Sequence, residues 1–270
     1  MERGVTARRA CRLMSISTAS LYRARSSASD ASDRRQKRAE KDAVLLDRLR
    51  SIWRPNMGYR MAHALVKDEF APLNVKRVHR LWKQERLGRI KRYRKRRTGQ
   101  SVPLSAQRPN EVWCLDFCHD ACLNGTKLKI LAIVDEFTRE CLALEVATSF
   151  KSIHVQRVLS NIVGARQAPL HLRSDNGSEF IARSLAVFLS QSGIQSRFIK
   201  PGSPWQNGHA ESFISRLRAE LLDIEAFHNL VDAQLKLAIY RRYYNEQRPH
   251  SALGYKTPAA ASQIKREDSS

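Results

Sequence analysis

The sequence predicts an α/β fold, a mixed five-stranded sheet covered by helices and preceded by small all-helical units, and three observations carry that prediction. Residues 112–147 hold apolar runs suited to strands, and after them strands alternate with helical periods. The residues before about 90 repeat instead at the helical spacing. Charge divides the chain the same way: of a net +22, residues 1–100 carry +19 and residues 101–270 only +3. Self-repulsion on that scale is tolerated where a phosphate backbone neutralises it, so nucleic acid is the expected partner of the first hundred residues.

Ala10, Leu13 and Met14 form one helical stripe, Ser15-Ile16-Ser17 breaks it, and Leu21 and Tyr22 resume. Ser17 is placed to cap the second helix, whose Thr18, Ser20, Arg23 and Arg25 would face DNA in helix-turn-helix fashion. Residues 26–41 are polar and read as a linker. Val44, Leu45, Leu49 and Ile52 are again periodic; after a break at Pro55–Gly58 come Tyr59, Met61, Ala64 and Leu65, then Val75, Val78, Leu81 and Trp82. Three such helices make a second bundle. Its last helix bears Lys76, Arg77 and Arg80, and runs on into the basic arm Lys91, Arg92, Arg94, Lys95, Arg96 and Arg97, with Tyr93 among them, suited to lie over phosphates.

From Pro103 the texture changes. Trp113, Leu115 and Phe117 alternate with Cys114, Asp116 and Cys118, Asn124-Gly125 is a turn signal, and 127–134 and 141–147 read as further strands of an antiparallel meander. A helix near 152–165, a strand at 170–173, a helix near 181–192, a strand at 195–199 and helices at 206–222 and 229–246 complete the pattern. With no apolar run of 18 residues and no apolar leader, the chain is expected to be intracellular. Its five cysteines are expected as reduced thiols. Cys114, Cys118 and Cys122 at four-residue spacing do not fit a zinc ribbon or finger, and no phosphate-binding GxxxxGK[ST] occurs.

Three acids stand out. Asp116 interrupts an apolar strand, where a carboxylate is costly to bury without a partner. Asp175 follows a short strand and opens the turn Asp175-Asn176-Gly177. Glu211 lies near the start of a helix expected to open at Ser203-Pro204, one step off the stripe Ala210, Phe213, Ile214, Leu217 and Leu221. A strand-centre Asp, a strand-end Asp and a helix-start Glu can converge at one end of a sheet as an all-oxygen shell for Mg²⁺. Two such ions suit in-line displacement at a phosphodiester. His209 is expected as a surface or DNA-facing residue rather than a general base, because metal-bound water removes that need.

The chain resembles the transposases of bacterial IS3-family insertion sequences, the product of the downstream reading frame, and more broadly the DDE transposase and retroviral integrase superfamily. WCLDF around Asp116, LRSDNGSEF around Asp175, PGSPWQNGHAESFISRLRAE around Glu211 and YYNEQRPHSALGYKTPA from Tyr243 carry the likeness, and 35 residues separate Asp175 from Glu211. The resemblance implies an RNase H-like integrase core at 103–262, preceded by a helix-turn-helix-like segment at 1–30, a second helical DNA-binding domain at 42–88 and a basic linker at 89–102, with a polar tail at 263–270. It implies Asp116, Asp175 and Glu211 as the catalytic, metal-binding triad for two Mg²⁺ ions, with Mn²⁺ able to substitute. Arg218 would contact the transposon end, and Asn207 would orient the acid or touch a phosphate. The implied activity is DNA cleavage and strand transfer at insertion-sequence ends. The alternative is a DNA-binding regulator of transposition, inactive without an upstream-frame partner. Implied partners are double-stranded DNA, further copies of the chain assembled on DNA and an upstream-frame OrfA-type protein; the implied location is the bacterial cytoplasm, at the nucleoid.

Overall fold

The computed structural model describes residues 6–88, 106–199 and 204–267. The basic arm Lys91–Arg97 lies outside them. The chain divides into two compact units, residues 1–53 with Val66–Leu87, and Arg54–Leu65 with residues 88–270.

In the first unit α1 (Ala7–Leu13) ends in a tight turn at Ser15, whose φ is 54°, and Ser17 caps α2 (Thr18–Ile52), its hydroxyl accepting from Ser20 N at 3.0 Å. The expected stripe does not pack: Leu13 is 75% and Met14 71% exposed, while Cys11 is buried. Both lie at the frayed end of a two-turn helix, beyond the face it buries. The linker expected at 26–41 is instead part of α2, which runs unbroken for 35 residues. That stretch contains neither Gly nor Pro, and its Ala, Arg, Lys, Gln and Glu residues favour helix without any apolar stripe to announce it.

Leu45 and Leu49 of α2 are buried, as are Val78, Leu81 and Trp82 of α4 (Val75–Gln84), which Asn74 caps. Arg48 pairs with Glu69 and Arg50 with Glu85 where water screens the attraction, so the pairs add little to stability. The bundle expected at 42–88 loses its middle helix, α3 (Tyr59–Val66), because nearly all of it belongs with the second unit. The strap leading into α3 is fixed there by side chains: Asn56 Nδ2 donates to Ala219 O at 2.6 Å, and the Arg54 guanidinium lies 4.4 Å from the Tyr243 ring centroid.

The second unit is built on a sheet of order β3-β2-β1-β4-β5. Strands β1 (Val112–Ala121), β2 (Lys127–Asp135) and β3 (Cys141–Ala147) form the antiparallel meander, and Gly125 at φ 81° makes the turn between the first two. After α5 (Ser152–Ala165), β4 (His171–Ser174) joins β1 in parallel; α6 (Ser178–Ile181) and α7 (Arg183–Gln191) lead to β5 (Gln195–Phe198), parallel to β4. A 3₁₀ turn at Pro204–Asn207 precedes α8 (Gly208–Leu217), a π turn at Arg218–Leu222 follows it, and α9 (Leu230–Glu246) and α10 (Pro258–Glu267) close the chain. The polar tail expected from 263 is therefore helical to Glu267, as good helix formers in Gln263–Glu267 allow.

Alternation on the strands assigns the two faces. Trp113, Leu115, Leu131 and Ile133 pack with Val155 and Leu159 of α5 and Leu185 and Leu189 of α7. Cys118, Ile130, Ala132 and Val134 pack with Phe213 and Leu217 of α8 and Leu237 and Tyr244 of α9. Each fully buried large side chain of this kind contributes about 1.5–3 kcal/mol. Asp116 points to the second face, the one α8 covers. All five cysteines are buried free thiols, and among the described residues no helix is long and apolar enough to cross a membrane.

Candidate active site

Parallel register sets the two aspartates at the same end of the β1–β4 pair. Cys114 on β1 is the last ladder partner of Arg173 on β4, with Asp116 two residues further along β1 and Asp175 one residue past the end of β4. Asp116 is half-buried, and its Oδ1 accepts from Phe117 N at 2.8 Å. Asp175 is exposed just past β4, and its Oδ1 accepts from Gly177 N at 3.0 Å. A Cβ at Gly177 would lie 3.1 Å from that same oxygen, so a larger residue there would press the Asp175 carboxylate aside by a few tenths of an ångström.

The glutamate arrives from the helix. The α-helix opens at Gly208 with Asn207 in the cap position, not at Ser203-Pro204: Pro204 starts the 3₁₀ turn, and Ser203 lies outside the described residues. Asn207 is buried, and its Nδ2 donates to Leu115 O at 2.9 Å, tying the helix start to the residue before Asp116. Its Oδ1 is buried with no hydrogen-bond partner. Ala210 packs against Val112 and Cys114, which leaves Glu211 half-buried on the border of the packed face.

Electrostatics register the convergence. The Asp116 carboxyl is pushed up to about 6, first by burial and then by the negative charges of Asp175 and Glu211, against the Phe117 N–H. All three acids thus share one neighbourhood. Among the described residues, however, no three His, Cys, Asp or Glu side chains stand close enough together to hold one ion.

A buried polar network that sequence reasoning did not single out lies beside the acids. Glu136 closes a buried ion pair with Arg173, whose Nη1 is 2.6 Å from Glu136 Oε2. Cys114 Sγ lies 3.5 Å from the same oxygen, and His209 Nε2 lies 3.4 Å from Oε1. Asp135-Glu136, two adjacent acids at the end of an apolar strand, was the available signal. His209 is half-exposed: it sits against Arg139 and Glu136, and burial, followed by Arg139, Arg173 and Arg216, pushes it down to about 4, leaving a neutral ring at pH 7.

The expected DNA contacts divide. Arg218 Nη2 donates to His119 O at 3.2 Å on an exposed stretch, and its charge reaches Cys118, whose thiol burial pushes up to about 12. Asn207 is turned inward, so the expectation that it touches a phosphate gives way to its tie to β1. Lys76 is exposed; Arg77 and Arg80 both bond Asp42, at 2.7 and 2.5 Å. Burial would raise the Asp42 carboxyl, but those two hydrogen bonds outweigh it and hold it low. Lys91, Arg92, Arg94, Lys95, Arg96 and Arg97 lie outside the described residues.

Residues 106–204 match the sequence profile described as an integrase core domain, and residues 192–258 match a second profile of that description. A 31.7 kDa protein of insertion element IS407 from Burkholderia multivorans is 36% identical over 263 residues, 94% of this chain and 90% of that one. Transposase InsD of insertion element IS2A/D/F/H/I/K from Escherichia coli is 30% identical over 266 residues, 92% of this chain and 87% of its own. Among solved structures, a chain of a simian T-cell lymphotropic virus intasome superposes with a TM-score of 0.51 at 13% identity, over 76% of this chain and 74% of that one, a likeness of fold.

Proposed function

Because the chain belongs to the IS3-family transposases of the DDE transposase and integrase superfamily, enzymes of DNA transposition, we propose that it cuts insertion-sequence ends and joins them to target DNA with divalent metal held by Asp116, Asp175 and Glu211. The observation that carries this reading is that the parallel pairing of β1 and β4 sets Asp116 and Asp175 at the same end of the sheet, with Glu211 close enough for its charge to raise Asp116.

The donor set fits a hard cation. Three carboxylates and no sulfur or nitrogen ligand suit Mg²⁺, which takes its remaining coordination from water and phosphate. Two ions bound there would supply Lewis-acid activation of the attacking hydroxyl and neutralise charge on the leaving oxygen. The protein's own contribution would be to hold Asp116 on β1 and Asp175 in the turn after β4 at one end of the sheet and to carry Glu211 towards them on α8. Arg218 lies two helical turns beyond Glu211, where it would meet the DNA end. Lys76 and the arm Lys91–Arg97 would bind the duplex through its phosphates. DNA would be bound by several copies, with the upstream-frame protein supplying further recognition.

Glu211→Gln tests the reading. Mg²⁺-dependent strand transfer is expected to fall by orders of magnitude while duplex binding stays near that of the parent; activity close to the parent's would reject it. The gap between the acids favours one other reading, a DNA-binding regulator whose site closes only with the upstream-frame partner. Strand transfer by this chain alone, lost in Glu211→Gln, rules that out.

A further inference from the structure

Glu136 contacts each of the three acid-bearing segments at the same offset. Its carboxylate meets Cys114, Arg173 and His209, and each of these is the residue two positions before Asp116, Asp175 and Glu211 respectively. We propose that Glu136 is a positioning residue for the catalytic triad, a single buried carboxylate that sets the relative placement of β1, β4 and α8 and through them the spacing of the three metal-binding acids. The proposal rests on the assignment of Asp116, Asp175 and Glu211 as metal ligands.

The geometry supports more than a packing role. On a strand, residues two apart point to the same face, so fixing Cys114 fixes the side at which Asp116 emerges, and fixing Arg173 anchors the end of β4 from which the Asp175 turn departs. On a helix the same offset is about half a turn, so the contact with His209 sets how far α8 advances towards the sheet. Glu136 is itself firmly held, since its backbone N–H donates to Val112 O at 2.9 Å and Oε1 accepts from Ala106 N at 3.3 Å. It is 2% and Arg173 5% exposed. A buried ion pair loses much of its attraction to desolvation, and a hydrophobic pair of similar volume often stabilises as well. What a carboxylate offers that a hydrophobic side chain cannot is directional contact with three separate segments at once. Outer partners of this kind, which orient the residues that ligate a metal, typically change metal affinity by about 10–100-fold when removed.

The test compares full-length Glu136→Gln and Glu136→Asp with the parent chain and with Glu211→Gln, using Mn²⁺ alone as the probe and the loss of the free-ion electron paramagnetic resonance signal as the readout. The Mg²⁺ concentration for half-maximal strand transfer is measured alongside. Glu136→Gln is expected to weaken Mn²⁺ binding by about 10-fold and to raise the half-maximal Mg²⁺ by a similar factor. Mn²⁺ binding and a Mg²⁺ midpoint equal to the parent's, with only a lower melting temperature, would show Glu136 to be a stability residue and overturn the proposal. If Glu136→Gln does not fold, Glu136→Asp, which keeps the charge and shortens its reach by one methylene, carries the same comparison: a raised midpoint supports the proposal and an unchanged one rejects it. Parent protein whose Mn²⁺ binding is indifferent to Glu211→Gln would refute the ligand assignment itself, and the role of Glu136 with it. A parent that loses Mn²⁺ in Glu211→Gln but not in Glu136→Gln would refute the role of Glu136 alone.

Discussion

Arg248 grips Glu220 with two parallel hydrogen bonds, Nε to Oε2 at 2.8 Å and Nη2 to Oε1 at 2.6 Å, between side chains that are 6% and 13% exposed. Glu220 lies in the π turn that continues α8, and Arg248 in the loop after α9, so the pair joins the helix of Glu211 to the C-terminal signature. Burial opposes the charge on Arg248, and the Glu220 hydrogen bonds more than restore it, raising the guanidinium above its ordinary value.

Arg248→Ala leaves Glu220 buried without its cation, which costs about 3–5 kcal/mol. Urea unfolding of the variant is expected to show a midpoint far below the parent's with an unchanged slope. A midpoint within error of the parent's would mean that the pair holds nothing in place.

His250 is 3% exposed, and neither ring nitrogen has a hydrogen-bond partner. Burial, with Arg216, Arg248, Arg139 and His209 around it, pushes its ring down to about 3. A histidine held below its unfolded value near 6.5 binds its proton only on unfolding, so its contribution to stability is whole above pH 6.5 and drains away as the pH falls towards 3. The loss is at most about 1.4 kcal/mol per pH unit. His250→Phe is expected to flatten the decline in unfolding free energy between pH 6.5 and 4.5, with the part due to His209 remaining. Equal slopes for parent and variant would contradict this.

The six cations from Lys91 to Arg97 are expected to account for much of the salt dependence of duplex binding. Each phosphate contact they make contributes about 0.9 to the slope of log affinity against log salt. Replacing all six with Gln should flatten that slope and weaken binding to unrelated sequences equally. An unchanged slope would place the electrostatic contacts elsewhere.

What the sequence showed depended on the length scale of the signal. The meander was legible because Trp113, Leu115 and Phe117 alternate and Asn124-Gly125 marks its first turn. Ser17 was legible as a cap because capping is local. Residues 26–41 were not, since a polar helix carries no apolar stripe and looks like a linker. The start of α8 was misplaced because Ser203-Pro204 is a good local start signal, whereas the helix is held by Asn207 reaching 92 residues back to Leu115. The partners of Glu136 were not legible for the same reason: nothing adjacent to it in sequence reveals Cys114, Arg173 and His209.

The different anchoring of Asp116 and Asp175 has one more consequence. Asp116 is held in the ladder between β1 and β2, and moving it would mean breaking strand pairing, whereas Asp175 lies in the turn just past β4. Glu211 comes on a helix packed over the sheet, and a packed helix can slide by a fraction of a turn while the strands stay bonded. One of the three proposed ligands is thus rigid scaffold and two are adjustable, which makes closure of the proposed site separable from the integrity of the sheet.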